Sequence, residues 1–161
     1  MAEDKVIPVR VAIRCRPLIT KELNEGCQTC VRFVNNEPQI LLGSNRSFSY
    51  DYVFSPDHNQ SEVYDAAVKP LFKHIFKGYN STILAYGQTG SGKTFTMGGC
   101  YDTNSDPDKG VIQRVVQELF NEIEEKPEYS FLIKVSYLEI YNEDINDLLC
   151  PPANREPLTI R

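Results

Sequence analysis

The run from Ala85 to Met97, AYGQTGSGKTFTM, constrains this chain more than any other stretch of it. Gly87, Gly92, Lys93 and Thr94 fit the spacing GxxxxGK[ST], between an apolar segment, STILAY, that reads as a buried strand and a segment, KTFTM, that reads as the start of a helix. Glycines let the backbone curl so that the N–H groups of Gln88, Thr89, Gly90 and Ser91 turn inward, and the helix beyond them adds the positive end of its dipole. A cradle of that kind fits phosphate oxygens. Lys93 is placed to reach the β- and γ-phosphates and Thr94 to offer its hydroxyl to Mg²⁺. The competing reading is a fortuitous glycine turn with a surface lysine, which has to reproduce four fixed positions and the flanking structure by chance.

The segments around the loop predict an α/β architecture. In VRVAIRCRP, Val9, Val11, Ile13 and Cys15 alternate with Arg10, Ala12, Arg14 and Arg16, the period of a strand, and Pro17 closes it. A face with three arginines must meet solvent, carboxylates or a ligand. CVRFV, PQILL and SFSYDYVF, separated by turn-like NNEP and GSNR, suggest a small antiparallel lobe. NQSEVYDAAVKPLFKHIFKG has helical spacing, with Asn59 or Ser61 as cap, Pro70 as a kink and Gly78 as terminator. Tyr86, at the end of STILAY, is expected to pack in the core. The polar stretch from Gly98 to Gly110 reads as a solvated lid, and VIQRVVQELFNEIEEK as an amphipathic helix. YSFLIKVSYLEIYN alternates as a long strand and EDINDLL reads as a turn of helix. Strands alternating with helices argue for a sheet with crossover connections.

Composition removes several classes. A net charge of −5 with no long Lys/Arg run argues against a nucleic-acid-coating domain. The opening lacks a signal pattern and no apolar run approaches ~20 residues, so neither secretion nor a membrane span is expected. Cys27 and Cys30 form a CxxC without a second ligand pair at zinc spacing, so the five cysteines are expected as free, reduced thiols.

A phosphate loop alone leaves kinase, GTPase, ATPase and motor open. The longer run GYNSTILAYGQTGSGKTFTMGG closely resembles the nucleotide loop of the kinesin motor family, and VRVAIRCRP resembles that family's RxRP strand, matched here by Arg14, Arg16 and Pro17. VSYLEIYNEDINDLL is similar to a third family signature, and the three occur in family order over nearly the whole chain, which makes an ordinary P-loop kinase a poor alternative. PVRVA, EGCQ and VSYLEIYNE with DLLCP look most like the chromosome-associated kinesin-4 group.

The resemblance implies a kinesin motor fold, a P-loop NTPase-type mixed sheet with flanking helices, with residues 1–161 as its amino-terminal half. It implies ATP and Mg²⁺ as cofactors and a microtubule-stimulated ATPase that moves along tubulin. It also implies that Arg14, Arg16 and Pro17 edge and stack the adenine while Phe95 approaches from the far side; otherwise the two arginines simply pair with surface acids. Neither family switch string, NxxSSRSH or DxxGxE, occurs, so no catalytic residue is assigned and the segment alone is expected to bind nucleotide but scarcely hydrolyse it. PLTIR resembles the start of the next family strand, which points to a truncated motor whose main microtubule-contacting elements and neck lie beyond it. The strand STILAY would then have unpaired edges, with aggregation or partial folding as the expected result. Parent-level expectations are a dimer, no membrane contact, chromatin contact only through regions outside this segment, and a place on the cytoskeleton in the cytoplasm or in the nucleus. The alternative from another class is a non-motile nucleotide-binding or regulatory kinesin-like module.

Overall fold

The computed structural model describes residues 8–44, 46–99, 106–156 and 158–160. They divide into two units, Met1–Asn121 and Glu122–Arg161. The first holds strands β1 (Ala12–Arg14), β2 (Val31–Phe33), β3 (Gln39–Leu42), β4 (Arg46–Ser49) and β5 (Tyr52–Phe54). Its helices are α1 (Thr20–Asn24), α2 (Gln60–Val63), α3 (Lys69–Ile75), α4 (Lys93–Gly98) and α5, which starts at Val111 and ends at Glu124.

The expected antiparallel lobe is present as β2, β3 and β4 in that order. SFSYDYVF, however, is split: β4 pairs with β3, and β5 pairs in parallel with β1, Ala12 opposite Tyr52 and Arg14 opposite Phe54. The switch is pinned by Asp51, whose carboxylate accepts from the Val11 N–H at 2.7 Å while its own N–H donates to the Val11 carbonyl at 3.0 Å. Two ladders cannot share one edge, so the chain must turn between them.

Asn59 caps the next helix as its sequence suggests. Its side chain accepts from the Glu62 N–H at 3.0 Å and the Glu62 carboxylate accepts from the Asn59 N–H at 2.7 Å, a reciprocal capping box. Pro70 does not sharply break the helical run. The turn ahead of it, Tyr64–Val68, widens to a π-helix in which the Lys69 N–H reaches back to the Tyr64 carbonyl, and α3 continues to Ile75. A proline lacks an N–H and crowds the carbonyl four residues back, and one wide turn accommodates both defects. Tyr64, Val68 and Val111 form a buried cluster, with Met97 and Val115 packed on it. The Tyr64 hydroxyl donates to the Glu118 carboxylate, and Lys69 Nζ lies 4.0 Å from the same group, which fastens α5 to the wide turn.

STILAY does not form the expected strand. Residues 81–87 have no ladder partner among the described residues, Leu84 is 87% exposed, and Tyr86, expected in the core, is 101% exposed. A parallel strand exists only beside a partner that satisfies its N–H and C=O groups, and local sequence cannot supply one. Of the lid expected from Gly98 to Gly110, residues 100–105 lie outside the described residues; at its ends Gly99 and Gly110 are buried against one another rather than solvated.

In the second unit, β6 (Leu138–Tyr141) and β7 (Asp144–Asp147) form an antiparallel hairpin, with Ile140 opposite Ile145. EDINDLL is therefore mostly strand rather than helix. Asn142 and Glu143 both adopt left-handed backbone, φ 49° and 69°, which reverses the chain in two residues and presents the next segment to β6. The long strand expected over YSFLIKVSYLEIYN is reduced to its last part, because residues 130–137 have no strand beside them among the described residues.

Burial and the Glu118 hydrogen bond both raise the Tyr64 pKa, so the phenol stays protonated and donating at neutral pH. Tyr64→Phe removes the donor while keeping the ring, and is expected to lower stability by about 1–2 kcal/mol in a urea titration. An unchanged midpoint would show that the hydroxyl does not hold α5.

Candidate nucleotide site

The loop is built as the glycine spacing requires. Gly92 stands at φ 95°, a left-handed conformation that starts α4 at Lys93. A Cβ at Gly87 would lie 2.6 Å from Ser91 Oγ and 3.2 Å from its Cβ, so any side chain there would force Ser91 to shift. The Ser91 N–H donates to the Gln88 carbonyl at 3.1 Å and the Thr96 N–H to the Gly92 carbonyl at 2.9 Å, closing the loop and the first turn of helix.

Lys93 folds back over this loop. Its ammonium donates to the carbonyls of Gly87 at 2.7 Å and Gln88 at 2.9 Å, and among the described residues no carboxylate pairs with it. It is half-buried, which a merely decorative surface lysine would not be. Neutral carbonyls hold the cation without cancelling its charge, so phosphate oxygens offer it a stronger partner. Thr94 is exposed, as are Gln88, Thr89 and Gly90. One hydroxyl cannot by itself satisfy a six-coordinate hard cation, but it fits as the protein ligand of an Mg²⁺ otherwise bound by phosphate oxygens and water.

The two arginines of β1 and its extension separate into different roles. Arg16 does pair with an acid: its Nη1 and Nη2 donate to the Glu22 carboxylate at 2.8 and 2.5 Å in a bidentate fork. Its remaining Nε donates to the Gly90 carbonyl at 2.7 Å, so the same guanidinium clamps the tip of the phosphate loop. Arg14 pairs with no carboxylate among the described residues. Its Nη1 donates to Gln60 Oε1 at 2.7 Å and Thr96 Oγ1 at 3.0 Å, and its guanidinium carbon lies 5.4 Å from the centre of the Phe95 ring. Burial lowers the Arg14 pKa, yet an arginine so placed stays charged.

Arg14, Arg16, Pro17, Ser91, Gly92, Lys93 and Phe95 all border one cavity of about 470 Å³. Phe95, 41% exposed, touches Arg14 directly rather than facing it across a gap. Glu22, Gln60 and Thr96 join the site although no sequence motif points to them. Glu22 carries a local signal, lying three residues after Ile19, whose N–H its carboxylate caps at 2.9 Å. Gln60 carries none.

A left-handed glycine, a curled loop, a lysine folded over its carbonyls and a helix beyond it together have the geometry of a P-loop. The comparisons narrow the class. The family model for the kinesin motor domain matches residues 14–161. The chain is 58% identical over 161 residues to the human chromosome-associated kinesin KIF4A, an alignment that covers 99% of this chain and 13% of that protein. It is 59% identical over 159 residues to the mouse chromosome-associated kinesin KIF4, with 98% and 13% covered, and 47% identical over 156 residues to the mouse kinesin-like protein KIF27, with 96% and 11% covered. The chain belongs to the kinesin motor domain family. It spans 13% of the length of the chromosome-associated relatives.

The Arg16 fork, and after it the Ile19 N–H, hold the Glu22 carboxyl down to about 2 from its ordinary 4.5. Its contribution is fully present above the ordinary value and is lost as pH falls from about 4.5 towards about 2. In Glu22→Gln the clamp on Gly90 should loosen at neutral pH, seen as faster amide hydrogen exchange over residues 88–91. A carboxyl titrating near its ordinary value by NMR would contradict the fork.

Proposed function

We propose that this chain is the ATP-binding part of a microtubule motor, which couples ATP hydrolysis to movement along microtubules. The observation that carries the reading is Lys93, half-buried, folded over the loop and unpaired with any carboxylate among the described residues, within a chain of the kinesin family. The phosphates bind across the loop from Gly87 to Thr94, with Lys93 as principal charge partner and the amides of Gln88, Thr89 and Gly90 as donors, joined by that of Ser91 once it leaves the Gln88 carbonyl. Arg14, Arg16 and Pro17 border the base, with Phe95 beside Arg14. Mg²⁺ would be held by Thr94 and the phosphates, and when bound it neutralises charge on the transferred group.

Hydrolysis itself belongs to a larger assembly of parts. Phosphoryl transfer needs a positioned water and a sensor of the γ-phosphate, and neither family switch string occurs in these residues. Contact with microtubules runs mainly through elements outside the segment. The relatives named chromosome-associated support a place on the cytoskeleton and in the nucleus. The same reading takes the parent as a dimer that reaches chromatin through other regions. No helix of the described residues is long and apolar enough to cross a membrane.

Titration of a fluorescent ADP with magnesium tests the site. Lys93→Ala should weaken binding at least about tenfold, since a charged hydrogen-bond partner is lost. Thr94→Ala should mainly shift the magnesium concentration needed. Binding unchanged in Lys93→Ala overturns the cradle assignment, and an unaltered magnesium response removes Thr94 from it.

A further inference from the structure

Resting on that nucleotide reading, the geometry points to Gln60 as a positioning residue that fixes the Arg14 guanidinium against the base side of the site. Gln60 is only 4% exposed, although its side chain is polar and it sits in the first turn of a surface helix. Both ends of its amide are engaged. Oε1 accepts from Arg14 Nη1 at 2.7 Å and Nε2 donates to the Phe95 carbonyl at 2.6 Å. One side chain of α2 thus bridges a cation on β1 to the backbone of α4, the helix that carries Lys93 and Phe95.

The choice of an amide has a chemical consequence. Glutamate at this place would aim the guanidinium equally well but neutralise it, as Glu22 does for Arg16. Glutamine aims without neutralising, and its second arm ties the orientation of Arg14 to the position of the phosphate-loop helix. Thr96 Oγ1 adds a second neutral acceptor at 3.0 Å, on the same nitrogen. Without Gln60 the long Arg14 side chain regains rotamers, and the wall that it forms with Phe95 and Pro17 loses its fixed edge. The loss should fall mainly on the base, because Lys93 is held by the Gly87 and Gln88 carbonyls and makes no hydrogen bond to Gln60 among the described residues.

Calorimetric titration of the full chain with Mg·ADP and with Mg·tripolyphosphate, which has the phosphates but no base, separates the two. Gln60→Met keeps the volume and removes both hydrogen bonds, and is expected to weaken ADP about tenfold with tripolyphosphate within about twofold. The ADP effect should vanish in an Arg14→Ala background, because Gln60 acts through Arg14. Gln60→Glu keeps the acceptor for Arg14 but loses the donor to the Phe95 carbonyl; as the second variant it should weaken ADP less than Gln60→Met does, with tripolyphosphate again within about twofold. Equal loss of both ligands, no loss of ADP, or an undiminished effect in the Arg14→Ala background overturns the positioning role. The nucleotide reading stands independently as long as Lys93→Ala removes both ligands, and if that variant changes neither, both ideas fall.

Discussion

The site depends on a half-buried cation held by neutral groups. Arg14 comes off a three-residue strand, too short to fix anything by its own ladder, yet it is gripped by Gln60, Thr96 and the face of Phe95. A guanidinium in such surroundings loses hydration, and several polar acceptors and a ring quadrupole replace part of it. The arrangement joins elements far apart in sequence: β1, the start of α2 and the helix after the phosphate loop. Remove it and those elements share fewer specific contacts, because the buried cluster of Tyr64, Val68 and Val111 joins the wide turn to α5 and, among the described residues, meets α4 through Met97.

Arg16 does the complementary job with the opposite chemistry. Its charge is matched by Glu22, so what it gives the loop is geometry: a fixed N–H against the Gly90 carbonyl. A loop with left-handed glycines is entropically costly to hold, and a clamp on its tip reduces the ordering left for a ligand to impose. Lys93 restrains the other end through Gly87 and Gln88. Arginines two residues apart, at the end of β1 and just beyond it, thus serve different ends, one keeping its charge available and one keeping the loop in shape.

What was legible in the sequence was local. The phosphate loop, the Asn59 cap, the termination at Gly78 and the helices after Gly92 and Gly110 each depend on residues within a few positions of one another, and all are present. The failures are non-local. STILAY reads as a short, buried apolar strand and YSFLIKVSYLEIYN alternates like one, but STILAY and most of the second segment have no partner strand among the described residues, so neither pattern becomes a full ladder. EDINDLL failed for a turn: Asn142 can adopt left-handed backbone readily, Glu143 much less so, and the pair defeated a helical reading by reversing the chain. At the site, the glycines and Lys93 were visible because spacing encodes them. Gln60 was not, since a buried amide bridging two distant elements leaves no periodic or compositional trace.

The charge distribution reconciles an acidic chain with an anionic ligand. At −5 overall the protein repels phosphate at long range, but beyond about 8–10 Å such repulsion is largely screened at physiological salt. Binding is decided inside that distance. There Arg16 is already balanced by Glu22, while among the described residues Arg14 and Lys93 face carbonyls, a hydroxyl, an amide and a ring but no carboxylate. Two unbalanced cations beside one cavity are an incomplete charge set. A nucleotide bound as proposed would complete it, with its phosphates replacing the loop carbonyls on Lys93 and its base meeting the wall to which Arg14 belongs.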